Sequence, residues 1–463
     1  MDKSKIDFRP TIFILYFLLL ILVQNIFEYT NNFLTILGVI AYYMFLYLIN
    51  KRFILRYFYI IFYLTTNIFG VYIIEMNHIY LNEMGYYSYS NNALLLIVIA
   101  HIIFIEVIRI TTRDNKYFKF AENKDVTYII TDNFRLRVTN IIKFILLVVF
   151  ILNIILFIKV INKPFFLVKV DRFIYKQKYL TPISDILTNM YVYIAPVISI
   201  YYYKTKDKRI IPLVASIVVY LFWIGHKFSY FLDLGYMFAI PMIVSLPYKK
   251  LKKIAKSFIV LILGALIIVM FQSFVIWGRN FDESLEYVNA RLAQQGQLWW
   301  ATYDNEKIKG NNLDEITDET KTYFKLNVSK SDLYNSGIYK IMRLNINEQI
   351  FNSKVYIKQS RYAYSTQSTV YYYGKSFGLI LFSIISAILY GLVNTNLIKS
   401  MLSLDIIKSI LWCRLSIVFS RVLMQSDFDK LFSISTLLVL FIIIFLEILE
   451  GKSRNRSLTE GGV

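Results

Sequence analysis

Cysteine is nearly absent. Cys413 is the only one in 463 residues, so neither a disulfide framework nor a cysteine-based metal site can be built. Charge is scarce too: Asp, Glu, Lys and Arg make up 18% of the chain, against about 25% in an ordinary soluble domain. A soluble enzyme of this length would need more polar surface than that composition supplies. The chain has no glycine-rich phosphate loop, no HExxH pair and no nucleophile elbow. It also has no internal repeat and no duplicated half, which argues against an alternating-access transporter, where such symmetry is common. Ala and Gly are sparse beside Ile, Tyr, Phe, Asn and Lys, a bias that reflects AT-rich coding more than mechanism.

What remains is apolar. Hydrophobic residues form 57% of the chain, the mean hydropathy is +0.51, and the apolar residues fall in blocks near the ~20 residues a helix needs to cross a bilayer. The fold class is therefore an all-α polytopic membrane protein with about twelve transmembrane helices. The expected spans are 10–26, 32–50, 54–75, 92–110, 141–161, 184–203, 210–225, 229–247, 257–277, 376–394, 404–424 and 431–449.

A net charge of +20 would suggest nucleic acid as a partner for a soluble protein. Here the positive-inside rule accounts for it, and no nucleic acid is expected. Basic connections (Lys3 to Arg9, Lys51 to Arg56, Arg109 to Lys143, Lys204 to Arg209, Lys249 to Lys256, Lys452 to Arg456) alternate with acidic or neutral ones. Both termini are thus expected in the cytoplasm, and the first apolar segment needs no cleavage. Two connections break the pattern of short loops: a basic outer loop at 162–183 and a long, nearly neutral one from Gly278 to Lys375. The expected organisation is residues 1–277 as spans one to nine, 278–375 as a large extracytoplasmic loop with short helices, and 376–463 as spans ten to twelve with a cytoplasmic tail. Loops of that length are usually functional.

The chemistry-bearing residues concentrate in these connections. Arg172, Arg279, Arg291, Arg343 and Arg361 all fall on the outer side, and a guanidinium stays charged and forks onto phosphate oxygens. If the segment after the ninth span begins as a helix, Arg291, Gln294 and Gln295 share one face, since i, i+3 and i+4 are neighbours. Amides suit sugar hydroxyls, and the following Trp299 and Trp300 could stack on sugar rings or anchor an interfacial helix. His226 and Lys227, in the turn between the seventh and eighth spans, sit where ionisable residues are functional candidates: His226 as a base and Lys227 as a phosphate contact. Arg414 and Arg421 lie seven apart, on one face of the eleventh span, and call for partners such as Asp233, His101 or Glu106. Asp427-Phe-Asp429 has a DxD spacing, but so short a pattern beside a span end recurs by chance, and no metal is expected.

Twelve spans, a large outer loop before the tenth, and the run Arg291-Leu-Ala-Gln-Gln-Gly-Gln-Leu-Trp-Trp300 resemble the Wzy-type O-antigen and oligosaccharide repeat-unit polymerases. Gly225-His-Lys-Phe-Ser-Tyr230 followed by Pro241, and Tyr371-Tyr-Tyr-Gly374 entering a span, are similar to the same family. The resemblance implies a GT-C-like membrane glycosyltransferase at the periplasmic face of the bacterial inner membrane. It would transfer the growing glycan from undecaprenyl pyrophosphate onto a new lipid-linked unit of O-antigen or capsule. No cofactor is implied, because the leaving pyrophosphate supplies the energy. The implied partners are the lipid-linked oligosaccharide, membrane lipids and a chain-length regulator. On this reading Arg291 and His226 carry catalysis, and Arg172, Lys227, Arg279, Gln294, Gln295, Trp299, Trp300, Arg343 and Arg361 bind pyrophosphate and glycan. The rival expectations are an O-antigen ligase, which shares the architecture and donor, a flippase for the lipid-linked unit, and a non-catalytic assembly partner. A flippase has little use for a hundred-residue outer loop.

Overall fold

The computed structural model describes residues 32–112, 132–168, 170, 172–245, 274, 278–305, 312–323, 334–357, 362, 365–403 and 405–460. The expected spans 10–26 and, but for Phe274, 257–277 lie outside them. The first part of the chain forms α1 (Asn32–Ile49), α2 (Lys51–Asn77), a hairpin β1 (Tyr80–Leu81) and β2 (Tyr86–Tyr87), α3 (Ala93–Thr112), α4 (Asp132–Val160), the short α5 (Phe165–Val168) and α6 (Arg172–Tyr179), α7 (Pro182–Thr205), α8 (Ile210–Trp223) and α9 (Phe228–Ser245). The long connection folds into short helices: α10 (Phe281–Ala293), α11 (Gln297–Asp304), α12 (Asp314–Tyr323), α13 (Gly337–Asn345) and α14 (Glu348–Asn352), the last running into a π turn at Ser353–Ile357. Then follow α15 (Thr366–Leu402), α16 (Ile406–Gln425), α17 (Phe428–Leu431) and α18 (Ile434–Glu460).

Among the described residues six helices, α1, α2, α3, α4, α7 and α15, are long and apolar enough to cross a membrane. Helix α16 has the length but carries Lys408, Arg414 and Arg421. The outward faces agree with a lipid surround. Helix α4 exposes Phe144, Leu147, Ile151 and Ile158, and α18 exposes Leu438, Phe441 and Phe445. An aqueous protein does not leave apolar stripes of that extent uncovered.

The helices begin where the sequence supplies caps. Asn50 accepts from the Phe53 N–H at 3.0 Å, and Asp405 accepts from the Lys408 N–H at 3.0 Å. Thr181 and Ser184 form a capping box around Pro182, which suits the first helical position. Helix α15 lies at the centre of the bundle, packed along α3 and α16, while α9 packs on α7, and α7 on α16. Several of the polar groups taken into this core are bonded to one another. Tyr42 OH donates to Glu106 at 2.8 Å, Tyr191 OH donates to Asn153 at 2.6 Å, and Tyr59 OH donates to Asp233. Glu106 is also paired with Arg109 at 2.7 Å.

The tenth expected span, 376–394, is longer in the structure: α15 begins at Thr366 and carries a break at Lys375. The extra turns are polar and closely packed rather than apolar. Thr366 Oγ1 accepts from the Ser426 N–H at 2.8 Å, and Ser426 Oγ donates to Thr369 Oγ1 at 2.9 Å. A hydropathy pattern cannot see such a segment, because its stability comes from tertiary hydrogen bonds.

Candidate functional site

The site is built where α10 and α11 dock on α2. Helix α10 starts with a reciprocal capping box: the Glu283 N–H donates to Asn280 Oδ1 at 2.8 Å, and the Asn280 N–H donates to Glu283 at 3.0 Å. It ends at Ala293, and Gln294, Gln295 and Gly296 form a turn into α11. That turn sits directly on the backbone of α2. A Cβ on Gly70 would lie 2.6 Å from the Gly296 nitrogen, and one on Gly296 would lie 2.3 Å from the Val71 nitrogen. Only two glycines allow the approach. Asn67, one turn earlier on α2 and fully buried, donates its Nδ2 to the Gln295 carbonyl at 2.6 Å.

Three of the expected residues come together here. Arg291 Nε donates to Tyr287 OH at 2.9 Å and its Nη1 to Gln294 Oε1 at 3.1 Å. Arg279 lies 4.5 Å from the centroid of the Tyr287 ring and Arg291 lies 5.1 Å from it. Two guanidiniums therefore share one tyrosine, and neither meets a carboxylate among the described residues. Two guanidiniums beside one ring have the charge and the donor geometry to pair with an anion. Gln295 bonds back along the chain, its Nε2 donating to the Arg291 carbonyl at 2.9 Å.

Trp299 and Trp300 are placed differently from the glycan-stacking expectation. Both are 0% exposed. Trp299 Nε1 donates to the Ala93 carbonyl at 3.0 Å and Trp300 Nε1 to the Tyr89 carbonyl at 3.1 Å. Their rings pack on Tyr303, Tyr371, Tyr86 and Tyr89. They fasten the turn to the start of α3, so their role in the site is to hold Arg291 in place. Tyr89 OH and Asn91 Nδ2 both donate to Asp304 at the end of α11, which reinforces the same junction.

Arg343, on α13, is held in the second half of the connection. It donates to Asn335 and to Tyr356 OH and lies 4.8 Å from the Phe351 ring centroid. His226 occupies the α8–α9 turn, where Gly225 has φ +66°. Its Nδ1 accepts from the Lys227 N–H at 3.1 Å, and its ring lies tilted against Tyr230 with the centroids 4.3 Å apart. Lys227 is exposed in the same turn. Arg172 opens α6, but its side chain lies outside the described residues, as does all of Arg361.

Sequence reasoning passed over several residues of the site. Tyr287 stands one turn before Arg291 and could have been found by asking what lies at i−4. Asn67 is a polar residue inside an apolar span, itself a signal. Its Oδ1 has no hydrogen-bond partner among the described residues, and Asn67 lines a small cavity of about 30 Å³, room for about one water, together with His101, Gln367, Ser383 and Ser386. Glu315 accepts from both Lys340 Nζ, at 2.6 Å, and Tyr372 OH, at 2.8 Å. Burial works against the Glu315 carboxylate, but the Lys340 ammonium and the Tyr372 hydroxyl outweigh it and leave its pKa below the ordinary value. Glu319 next to it is more buried, and desolvation lifts its pKa above the ordinary carboxylate range.

A family model described as a family of unknown function (DUF6418) matches residues 331–440. That stretch runs from the second half of the long connection through α15 and α16 into α18, and includes Arg343, Lys340 and the break at Lys375. No curated protein and no solved structure matches the chain.

Proposed function

We propose that the chain is a polymerase of lipid-linked oligosaccharide repeat units, acting at the outer face of a bacterial inner membrane. On this reading about twelve spans cross the bilayer with both termini in the cytoplasm, and the connection holding α10 to α14 lies outside. The donor is a glycan on undecaprenyl pyrophosphate, the acceptor is a second lipid-linked unit, and the product is O-antigen or capsule.

The observation that carries the reading is the pair Arg279 and Arg291 around Tyr287, held rigidly on a long apolar helix by the Gly70–Gly296 contact. Breaking the anomeric bond leaves charge on a pyrophosphate, and fixed cations lower the barrier by stabilising charge that develops in the transition state. Rigid docking matters because a cation that must reorganise loses much of that advantage. Gln294 orients the Arg291 fork toward the ligand side, and sugar hydroxyls compete for the same amide. Trp299 and Trp300 support the pair from beneath, and Arg172, Arg343, Arg361 and Lys227 remain candidates for the rest of the lipid-linked substrate. His226 is offered as the base or orienting partner of the acceptor hydroxyl.

The test is a surface-glycan gel of a strain lacking the gene, complemented with intact or variant copies. Loss of the ladder to a single core-plus-one-unit band, restored by the intact copy, is the expected result. Arg291→Ala should leave protein level and membrane insertion intact and abolish long chains. Bare core without the single unit would replace this reading with a ligase or a flippase. Normal ladders from Arg291→Ala would remove Arg291 from the mechanism.

A further inference from the structure

Lys375 interrupts α15 with φ 51° and ψ −151°. Glycine adopts that combination freely, whereas any side chain is strained by it. Gly374 immediately precedes it in helical backbone, and a Cβ built there would meet nothing within 4 Å. The chain thus has a glycine one position away and still puts the strain on a lysine.

The break is braced from the long connection. The Tyr372 carbonyl accepts from Asn312 Nδ2 at 3.1 Å, and the Tyr373 carbonyl accepts from the Asn312 N–H at 3.3 Å. In an unbroken helix these carbonyls would look to residues 376 and 377, beyond the break. Tyr372 OH is tied to Glu315, and the Tyr371 ring packs on Trp299 and Tyr303 of α11, the helix that follows the Arg291 turn. The Lys375 ammonium stands 5.2 Å from the Tyr371 ring centroid, half-buried, and meets no carboxylate among the described residues.

A lysine that only snorkels to lipid headgroups needs no particular backbone, since its flexible stem does the reaching. Strain held in place by several bonds directs a group where relaxed backbone would not. We propose that Lys375 is a phosphate-binding cation, presented by the braced break in α15 to the pyrophosphate of the substrate bound at the α10–α11 turn. The proposal rests on the polymerase reading for the identity of the substrate, while its phosphate chemistry is tested separately.

The experiment uses the purified full chain in lipid nanodiscs, with inorganic pyrophosphate as the probe, and follows binding and the thermal midpoint together. Lys375→Gly relieves the strain and removes the cation. It should raise Tm by about 1–3 °C while weakening pyrophosphate binding about tenfold or more. Lys375→Arg should bind within about threefold of the native protein, without the gain in Tm. Lys375→Met keeps the strained backbone and should lose binding with Tm little changed, which covers a Gly variant that fails to fold. Unchanged pyrophosphate affinity in both the Gly and the Met variants would overturn the proposal. Discs with and without phosphatidylglycerol separate the two sources of phosphate. A Lys375 effect confined to Tm in the anionic discs would identify a headgroup clamp and overturn the substrate assignment. If pyrophosphate binding behaves as expected but the gene deletion leaves the glycan ladder unchanged, the polymerase reading fails and the phosphate site stands.

Discussion

Replacing Gly70 by alanine sets two effects against each other. Helix propensity favours alanine in a helix interior by about 1 kcal/mol, so an unpartnered α2 would be stabilised. The tertiary contact opposes this. The added Cβ would lie 2.6 Å from the Gly296 nitrogen and 2.7 Å from the Leu292 carbonyl oxygen, both backbone atoms that cannot rotate away. Forcing extra volume into a packed contact costs about 1–3 kcal/mol. Lifting the turn also weakens the bond from Asn67 Nδ2 to the Gln295 carbonyl, worth about 1 kcal/mol. The contact should win, with a net loss of about 1–3 kcal/mol. The loss is local, so the turn should open before the bundle does. Trypsin cleavage after Arg291 should rise about 5- to 150-fold, the factor that about 1–3 kcal/mol supplies, and Tm should fall. Gly374→Ala is the control: nothing lies within 4 Å of its added Cβ, and it should be neutral or slightly stabilising. A Gly70→Ala protein with raised Tm and unchanged cleavage would mean that propensity alone governs the site and that α10 is not docked as described.

Three further outcomes are expected. Trp299→Phe keeps the ring volume in part but removes the Nε1 bond to the Ala93 carbonyl, which keeps its partner in the α3 ladder, and should cost about 0.5–1.5 kcal/mol, read as a fall in Tm with the α10–α11 turn more open to protease. Gly225→Ala should be destabilising whatever the role of His226, because φ is +66° and the Cβ would meet the Phe165 ring at 2.2 Å; the same Tm assay, with Gly374→Ala beside it, reads this. Glu315→Gln should lower stability only modestly, by about 0.5–1 kcal/mol, since the pair with Lys340 is partly exposed and screened. The sign follows from the direction of the shifts. The depressed Glu315 contributes stability above its ordinary pKa of about 4.3 and loses it as pH falls through the lower folded value. For Lys340, burial works against the charge, but Glu315 outweighs it and holds the pKa up, so its share persists below about 10.4 and fades only above. The Tm gap between native and Glu315→Gln protein should therefore be constant near neutrality and close in acid. A gap that widens in acid would contradict the pairing.

The sequence by itself determined the elements that depend on local pattern. Apolar blocks near a bilayer's width became α1 to α4, α7 and α15, because a helix that must bury or hide its whole circumference is written in every residue it contains. Caps such as Asn50, Asp405 and the Asn280–Glu283 box are encoded just as locally, since their partners sit within four positions. The Arg291–Gln294 pairing at i, i+3 was legible too.

What only the tertiary structure decided concerns residues far apart in the chain. The Gly70–Gly296 contact joins positions 226 apart, so neither glycine announces its partner. Trp299 and Trp300 carry the same side chains whether they face a sugar or a buried carbonyl, and their meaning changed once Ala93 and Tyr89 were found beneath them. The polar start of α15 and its break at Lys375 exist because Asn312, Ser426 and Glu315 supply bonds from other parts of the fold. Local sequence encodes the hydrophobic and capping energies of a segment, but the direction of a side chain in the site is set by distant backbone that packs against it.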